Sequence, residues 1–188
     1  MLKLQGVSKA FGDKVILKDF SYNFPDKGIV CITGPSGRGK TTLLRLIAGL
    51  EKSDSGKISA NGVISLLFQE DRLLPWLSAS ENIACVIRKK TADKSKIAKE
   101  LLCSVGLLGE EDQKIDNLSG GMKRRVAFAR ALALSPDILL LDEPFTGLDD
   151  ETKSQLKEIV LSFAKERLVI MVTHDSDDIK LADREISL

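Results

Sequence analysis

An excess of charge of either sign is missing from this sequence: 28 Lys and Arg stand against 27 Asp and Glu, a formal net charge of +1. A nucleic-acid coat or a binder of acidic lipid needs clustered excess charge, so no nucleic-acid partner is expected. Long hydrophobic runs are missing too. Apolar runs such as Ile138–Leu141 stop after a few residues, far short of the roughly 18 that a membrane span needs. The opening Met-Leu-Lys-Leu-Gln-Gly leads into no apolar region of the kind an export leader carries. The three cysteines, Cys31, Cys85 and Cys103, are odd in number and widely spaced. They suggest no disulfide framework or zinc knuckle and read as reduced apolar filler in a cytosolic protein. Internal repeats and low-complexity tracts are absent. What is present is 188 residues with 43% apolar and 29% charged side chains. That composition excludes global disorder and fits a single domain, residues 1–188.

Strand and helix signals alternate. Leu2, Leu4 and Val7 alternate with polar residues, and Val15–Tyr22 follows after a Phe-Gly-Asp-Lys turn, which predicts an N-terminal antiparallel β subdomain. Gly28–Thr33 is a continuous apolar strand of the kind buried on both faces of a sheet. A helix is expected from about Lys40 to Ala48, closed by Gly49. Residues 56–67 predict two short strands around an Asn61-Gly62 turn. From Ser78 to about Ser104 the pattern is helical, with Ser78 or Ser80 as a cap. Further elements are a helix over Ser119–Leu134, a strand over Ile138–Leu141, a helix over Asp150–Lys165, and strands over Leu168–Thr173 and Arg184–Leu188. The class is α/β with a mainly parallel core sheet, interrupted by a helical sub-lobe over roughly 73–117.

Two motifs carry phosphate chemistry. Gly34-Pro35-Ser36-Gly37-Arg38-Gly39-Lys40-Thr41 matches the P-loop pattern in full and lies between a predicted strand and helix, so the fold is that of a P-loop NTPase. The glycines let successive backbone N–H groups converge on phosphate oxygens. The helix N-terminus adds about half a positive charge. Lys40 would reach the terminal phosphates, and the Thr41 hydroxyl, with Thr42 beside it, would sit at Mg²⁺. Ile138-Leu139-Leu140-Leu141-Asp142-Glu143-Pro144 places two carboxylates at the C-terminal end of an apolar strand, where open α/β sheets bind ligands. Asp142 would hold Mg²⁺ and Glu143 would act as general base on the attacking water. Together the motifs point to Mg-ATP hydrolysis.

A third motif is sharper still. Leu118-Ser119-Gly120-Gly121-Met122-Lys123-Arg124-Arg125 opens a helix with a Ser and two glycines, a second anion-binding helix start in one chain. An ordinary capped helix explains Ser119 but not two glycines in its first turn, which cost helix stability. With these motifs the chain resembles the nucleotide-binding domain of ABC transporters over nearly its full length. The resemblance implies that two such domains pair head to tail and sandwich ATP between the P-loop of one and the signature, Ser119, Gly120 and Gly121, of the other. Met122 stands where the family commonly has Gln. Phe11 matches the aromatic that stacks on adenine, Gln69 the glutamine that senses Mg²⁺ and water, Asp149 the loop that communicates across the dimer, and His174 the switch histidine that steadies Glu143. Gly147 stands where Ala is common.

The segment Phe68-Gln69-Glu70-Asp71-Arg72-Leu73-Leu74-Pro75-Trp76 is similar to that of nitrate, sulfonate and taurine type importer ATPases. The resemblance implies a groove for a coupling helix of a transmembrane permease, lined by Leu73, Leu74, Pro75 and Trp76 unless these fill the helical core. Two departures are a short stretch between Asn61-Gly62 and Gln69 and the lack of the family's C-terminal extension. The expected function is an energy-coupling ATPase, homodimeric, cytoplasmic and peripheral on the cytoplasmic face of the membrane. The rival is a soluble ABC ATPase of DNA repair or translation, for which the chain lacks the coiled-coil insertion or the second domain. A P-loop kinase or GTPase is weaker, since the chain has no Asn-Lys-x-Asp motif.

Overall fold

The computed structural model describes residues 1–88 and 93–188. The part of the predicted helical stretch at 89–92 lies outside the described residues. Strands β1 (Leu2–Phe11) and β2 (Lys14–Asn23) form a hairpin, and β3 (Gly28–Thr33) runs into helix α1 (Lys40–Ile47). Strands β4 (Ser55–Ala60) and β5 (Ile64–Leu67) follow, then helices α2 (Ala79–Ala84), α3 (Lys94–Ser104) and α4 (Gly120–Ala133). The chain closes with β6 (Ile138–Asp142), α5 (Asp150–Ala164), β7 (Leu168–Val172), α6 (Ser176–Ile179) and β8 (Arg184–Ser187).

Two sheets result. An antiparallel sheet has the order β2-β1-β4, and a five-stranded sheet has the order β5-β6-β7-β3-β8. Every recorded pairing in the larger sheet is parallel. Strands β3, β6 and β7 are apolar on both faces because both faces are covered, whereas β8, at the edge, buries only Ile186. Residues alternate between two cores. Ile29, Leu139, Leu141, Val169 and Met171 join the cluster that also holds Phe128 of α4, Ile83 of α2 and Leu102 of α3. Val30, Ile32, Leu140 and Ile170 join the cluster that holds Leu43 and Leu44 of α1 with Leu2 and Leu4 of β1. Helices α2, α3 and α4 thus share one apolar core with a face of the parallel sheet.

The Asn61-Gly62 pair does not make a hairpin. β4 pairs antiparallel with β1, and β5 pairs parallel with β6, so the turn carries the chain from one sheet to the other. Burial explains it. β4 is largely exposed, whereas β5 puts Leu67 in one core and packs Ile64 and Leu66 against the other, so it needs cover on both sides. Gly62, at φ +99°, is required by packing: a Cβ there would lie 2.3 Å from the Asp137 carboxylate, which instead accepts the Val63 N–H at 2.7 Å.

Caps place the helix starts. Ser78, not Ser80, caps α2 in a reciprocal box with Glu81. Ser119 caps α4 by accepting from the Met122 N–H. No helix among the described residues is long and apolar enough to cross a membrane.

Candidate functional site

Four neighbouring strands of the parallel sheet, β5-β6-β7-β3, end at one cleft of about 580 Å³. Each delivers a different side chain from its C-terminal end: Gln69 after β5, Asp142 and Glu143 at β6, His174 after β7, and the phosphate loop after β3. Parallel pairing makes this possible, because all the C-terminal ends lie on one edge. Asp142 is level with Val172, and Ile32 with Val172, so the carboxylate, the His174 turn and the start of the loop share one rank.

The loop is built from conformations that need glycine. Gly34, Gly37 and Gly39 have φ of +129°, +77° and +99°. A Cβ on Gly34 would lie 2.6 Å from the Leu188 carbonyl oxygen, and one on Gly39 would lie 2.2 Å from a methyl of Ile16. Gly39 caps α1 through its backbone alone, so the first turn of that helix opens toward the cleft. Lys40 is buried, and its ammonium donates to the Gly34 and Pro35 carbonyls at 2.8 and 3.0 Å. The lysine thereby closes the loop on itself and holds its charge under the phosphate position. Ser36, Gly37, Gly39, Lys40, Thr41 and Thr42 line the cleft, while Arg38 is exposed on the loop's outer side.

Asp142 is buried, and burial pushes its pKa up, opposed by the neighbouring Thr41 hydroxyl and by Arg45, Arg124 and Lys40. Burial also raises Glu143, against the pull of His174. His174 Nε2 lies 3.5 Å from Glu143 Oε1. Glu143 has φ +49°, a left-handed conformation that costs a non-glycine residue about 1–3 kcal/mol. Its own N–H, donating to the Val172 carbonyl at 2.9 Å, helps to hold it there.

The remaining predicted residues lie outside this cleft. Ser119 and Gly120 are exposed at the start of α4, where a Cβ on Gly120 would meet only open space. Gly121 faces Leu148 and the Gly147 carbonyl. Asp149 caps α5, accepting from the Thr152 N–H and hydroxyl, each at 2.9 Å, and these bonds hold its carboxyl below the usual range. Phe11 is 48% exposed, which excludes a core role, and the Lys9 ammonium sits 4.9 Å from its ring centroid. Of the segment after Gln69, Leu73 packs on the helical core, whereas Trp76 is 67% exposed. Lys14 and Ile16 of β2 line the cleft and were not among the residues expected there. The absent Cβ of Gly39 marks where Ile16 comes in.

Donors suited to a divalent cation converge on the cleft: the Thr41 hydroxyl, the Asp142 carboxylate and the Gln69 amide. Among the described residues no cluster of three or more His, Cys, Asp or Glu could hold a metal. A set this sparse fits Mg²⁺, which keeps waters and takes substrate phosphates as ligands.

Residues 17–146 match the family described as ABC transporter. An aliphatic sulfonates import ATP-binding protein of Zymomonas mobilis is 43% identical over 100% of this chain and 81% of its own. One of Paracoccus denitrificans is 41% identical, over 97% and 76%. A bicarbonate transport ATP-binding protein of Synechocystis is 37% identical, over 100% and 73%. Among solved structures, the ATP-binding cassette MJ0796, in a dimeric post-hydrolysis state bound to ADP and Pi, superposes with a TM-score of 0.93. It is 31% identical and covers 100% of this chain and 94% of the other.

Proposed function

Because this chain belongs to the ABC transporter family, as an ATP-binding subunit of importer type, we propose that its cleft binds Mg-ATP and hydrolyses it to drive a separate permease. The observation that carries this reading is the convergence of four adjacent strand ends on one cleft, with phosphate-binding and carboxylate groups at one level. The rival reading as a soluble repair or translation ATPase is set aside, since the relatives named above are transport ATP-binding proteins.

The loop N–H groups and the α1 N-terminus receive the β- and γ-phosphates, and Lys40 shares its protons between them and the loop carbonyls. Thr41, Asp142 and Gln69 would hold Mg²⁺, which neutralises charge on the phosphate oxygens when bound. Glu143 takes a proton from the attacking water. Its partial burial raises its basicity toward the working pH, and His174 orients it from 3.5 Å. Phe11 offers an exposed ring for the adenine, and base–aromatic stacking of this kind contributes about 1–3 kcal/mol. Leu148 and the Gly147 carbonyl, just before Asp149, lie against Gly121 at the start of α4.

The domain, residues 1–188 with a helical sub-lobe, works as a pair. Ser119, Gly120 and Gly121 lie outside the chain's own cleft, which suits them to the nucleotide held by a second copy. The permease side is the segment that bears exposed Trp76 together with an apolar groove that starts at Phe68 and is lined by Leu50, Val86 and Arg130, not by the expected Leu73, Leu74, Pro75 and Trp76. Relatives of 37–43% identity carry names for sulfonates, bicarbonate and spermidine/putrescine. Such a spread supports cargo selection by the membrane and binding subunits. Work with a permease is in keeping with a peripheral position on the cytoplasmic face of the membrane.

The test is Glu143→Gln, which keeps shape and removes the base. ATP binding and ATP-dependent dimerisation persist, while phosphate release falls by about 10²–10⁴-fold. Turnover at the wild-type rate would refute the role of Glu143.

A further inference from the structure

Arg124 is charged, lies in the second turn of α4, and is only 5% exposed. Its guanidinium spends every N–H on groups that flank the catalytic residues. Nε donates to the Pro144 carbonyl at 3.1 Å. Nη2 donates to the carbonyls of Asp142 and Glu143 at 2.9 and 2.8 Å. Nη1 donates to the carbonyls of Phe68 and Gln69 at 2.6 and 3.2 Å and to the Asp71 carboxylate at 3.1 Å. One side chain therefore grips the end of β5 and the end of β6 together. Arg130, further along α4, donates only to the Asp71 and Arg72 carbonyls and does not reach β6.

From this geometry we propose that Arg124 is a positioning residue for hydrolysis: it holds the strained Glu143 turn and the Gln69 loop in register with each other. The proposal rests on the reading of Glu143 as the base. The left-handed backbone of Glu143 is fixed at two points, its N–H on Val172 and its carbonyl on Arg124. The first point belongs to the sheet and persists in any folded state. The second ties the Glu143 backbone turn to the loop that carries Gln69. A planar fork with five N–H donors reaches five carbonyls and one carboxylate by sharing one Nη1 N–H between two acceptors, and a lysine, with three N–H on a single nitrogen, cannot. Displacement of the 68–71 loop therefore reaches Glu143 through this side chain, while Lys40 and the phosphate loop, which make no bond to Arg124, are left in place.

The test compares wild type, Arg124→Met, Arg124→Lys and Glu143→Gln, each assayed for ATP binding with a fluorescent ATP analogue, for kcat and KM by phosphate release, and for melting temperature. A displacement of about 1 Å at a reacting group costs on the order of 100-fold in rate. The expected result is therefore a kcat lowered by about 10–100-fold in both Arg124 variants, with nucleotide affinity within about threefold of wild type. A folded Arg124 variant that keeps wild-type kcat overturns the proposal. So does a series in which folding, affinity and kcat always fall together, since that assigns the arginine to fold stability alone. If Glu143→Gln keeps its turnover, the reading beneath fails instead; if it is inactive while both Arg124 variants turn over normally, only the role of Arg124 fails.

Discussion

Substituting Gly39 by Ala tests the packing of the phosphate loop against the N-terminal hairpin. Two costs are visible. At φ +99° any side chain is strained, by about 1–3 kcal/mol. A Cβ would also lie 2.2 Å from the Cγ2 methyl of Ile16, and relieving such an overlap costs about 1–3 kcal/mol more. The sum is about 2–6 kcal/mol. For a chain of this size that lowers the melting temperature by about 4–24 °C. The two costs separate in a double-mutant cycle. Ile16→Ala removes the methyl, so Gly39→Ala in that background recovers the steric part, about 1–3 kcal/mol, and keeps the backbone strain. Circular-dichroism melts of the four proteins without nucleotide give the coupling. A Gly39→Ala melt within about 2 °C of wild type would refute the strain, and a coupling below about 0.5 kcal/mol would refute the contact with Ile16.

Three further outcomes are expected. Lys40→Met removes a charge-assisted contact worth about 1.5–3 kcal/mol to the phosphates, so calorimetric titration gives an ATP affinity weaker by roughly 10–150-fold; a loss under about twofold would show that the ammonium serves only the Gly34 and Pro35 carbonyls. Cys85 and Cys103 are exposed, whereas Cys31 is buried in β3 and burial pushes its thiol up to about 11, so a thiol reagent at neutral pH labels two cysteines in the native protein and three after unfolding. Asp175 is held at about 2, first by the Lys153 ammonium and then by the Asp177 N–H; since its ordinary value is 3.8, its contribution is present above about pH 4 and lost as pH falls toward 2. Asp175→Asn is accordingly less stable than wild type at pH 6, and melts at successively lower pH show the gap closing; a gap constant from pH 6 to 2 would count against the pairing.

The order of motifs along the chain was enough to anticipate the cleft's main line, from the phosphate loop to Asp142, Glu143 and His174, because each follows an apolar strand and parallel strands end on one edge. Contributions from across the fold were hidden. Lys14 and Ile16 reach the cleft only because the β1–β2 hairpin folds over the loop, which no local pattern encodes. The Met-Lys-Arg-Arg run looks like a solvated helix face, yet Arg124 is buried beneath two strand ends. Asn61-Gly62 has the composition of a hairpin turn, but Leu67 on one face and Ile64 and Leu66 on the other draw β5 into the parallel sheet. Asp149 has two local acceptor duties at the start of α5 that a motif match does not display.

The two-faced burial of the parallel strands has a consequence for how the site keeps its alignment. In a sheet with one wet face, a strand that slips by one residue turns its apolar side to water and is rejected. Here both faces are oily, so a slipped β6 would still bury Leu139, Leu140 and Leu141. The middle of the strand is a nearly featureless rail. Its indexing marks are the polar stops at the end: the Asp142 carboxylate at the cleft and the Glu143 N–H on Val172. One notch of slip moves those groups by about 3.3 Å, more than any hydrogen bond tolerates. Substitutions among Val, Ile and Leu along the rail are therefore expected to be absorbed, while a change at the stops releases the alignment of every group the cleft depends on.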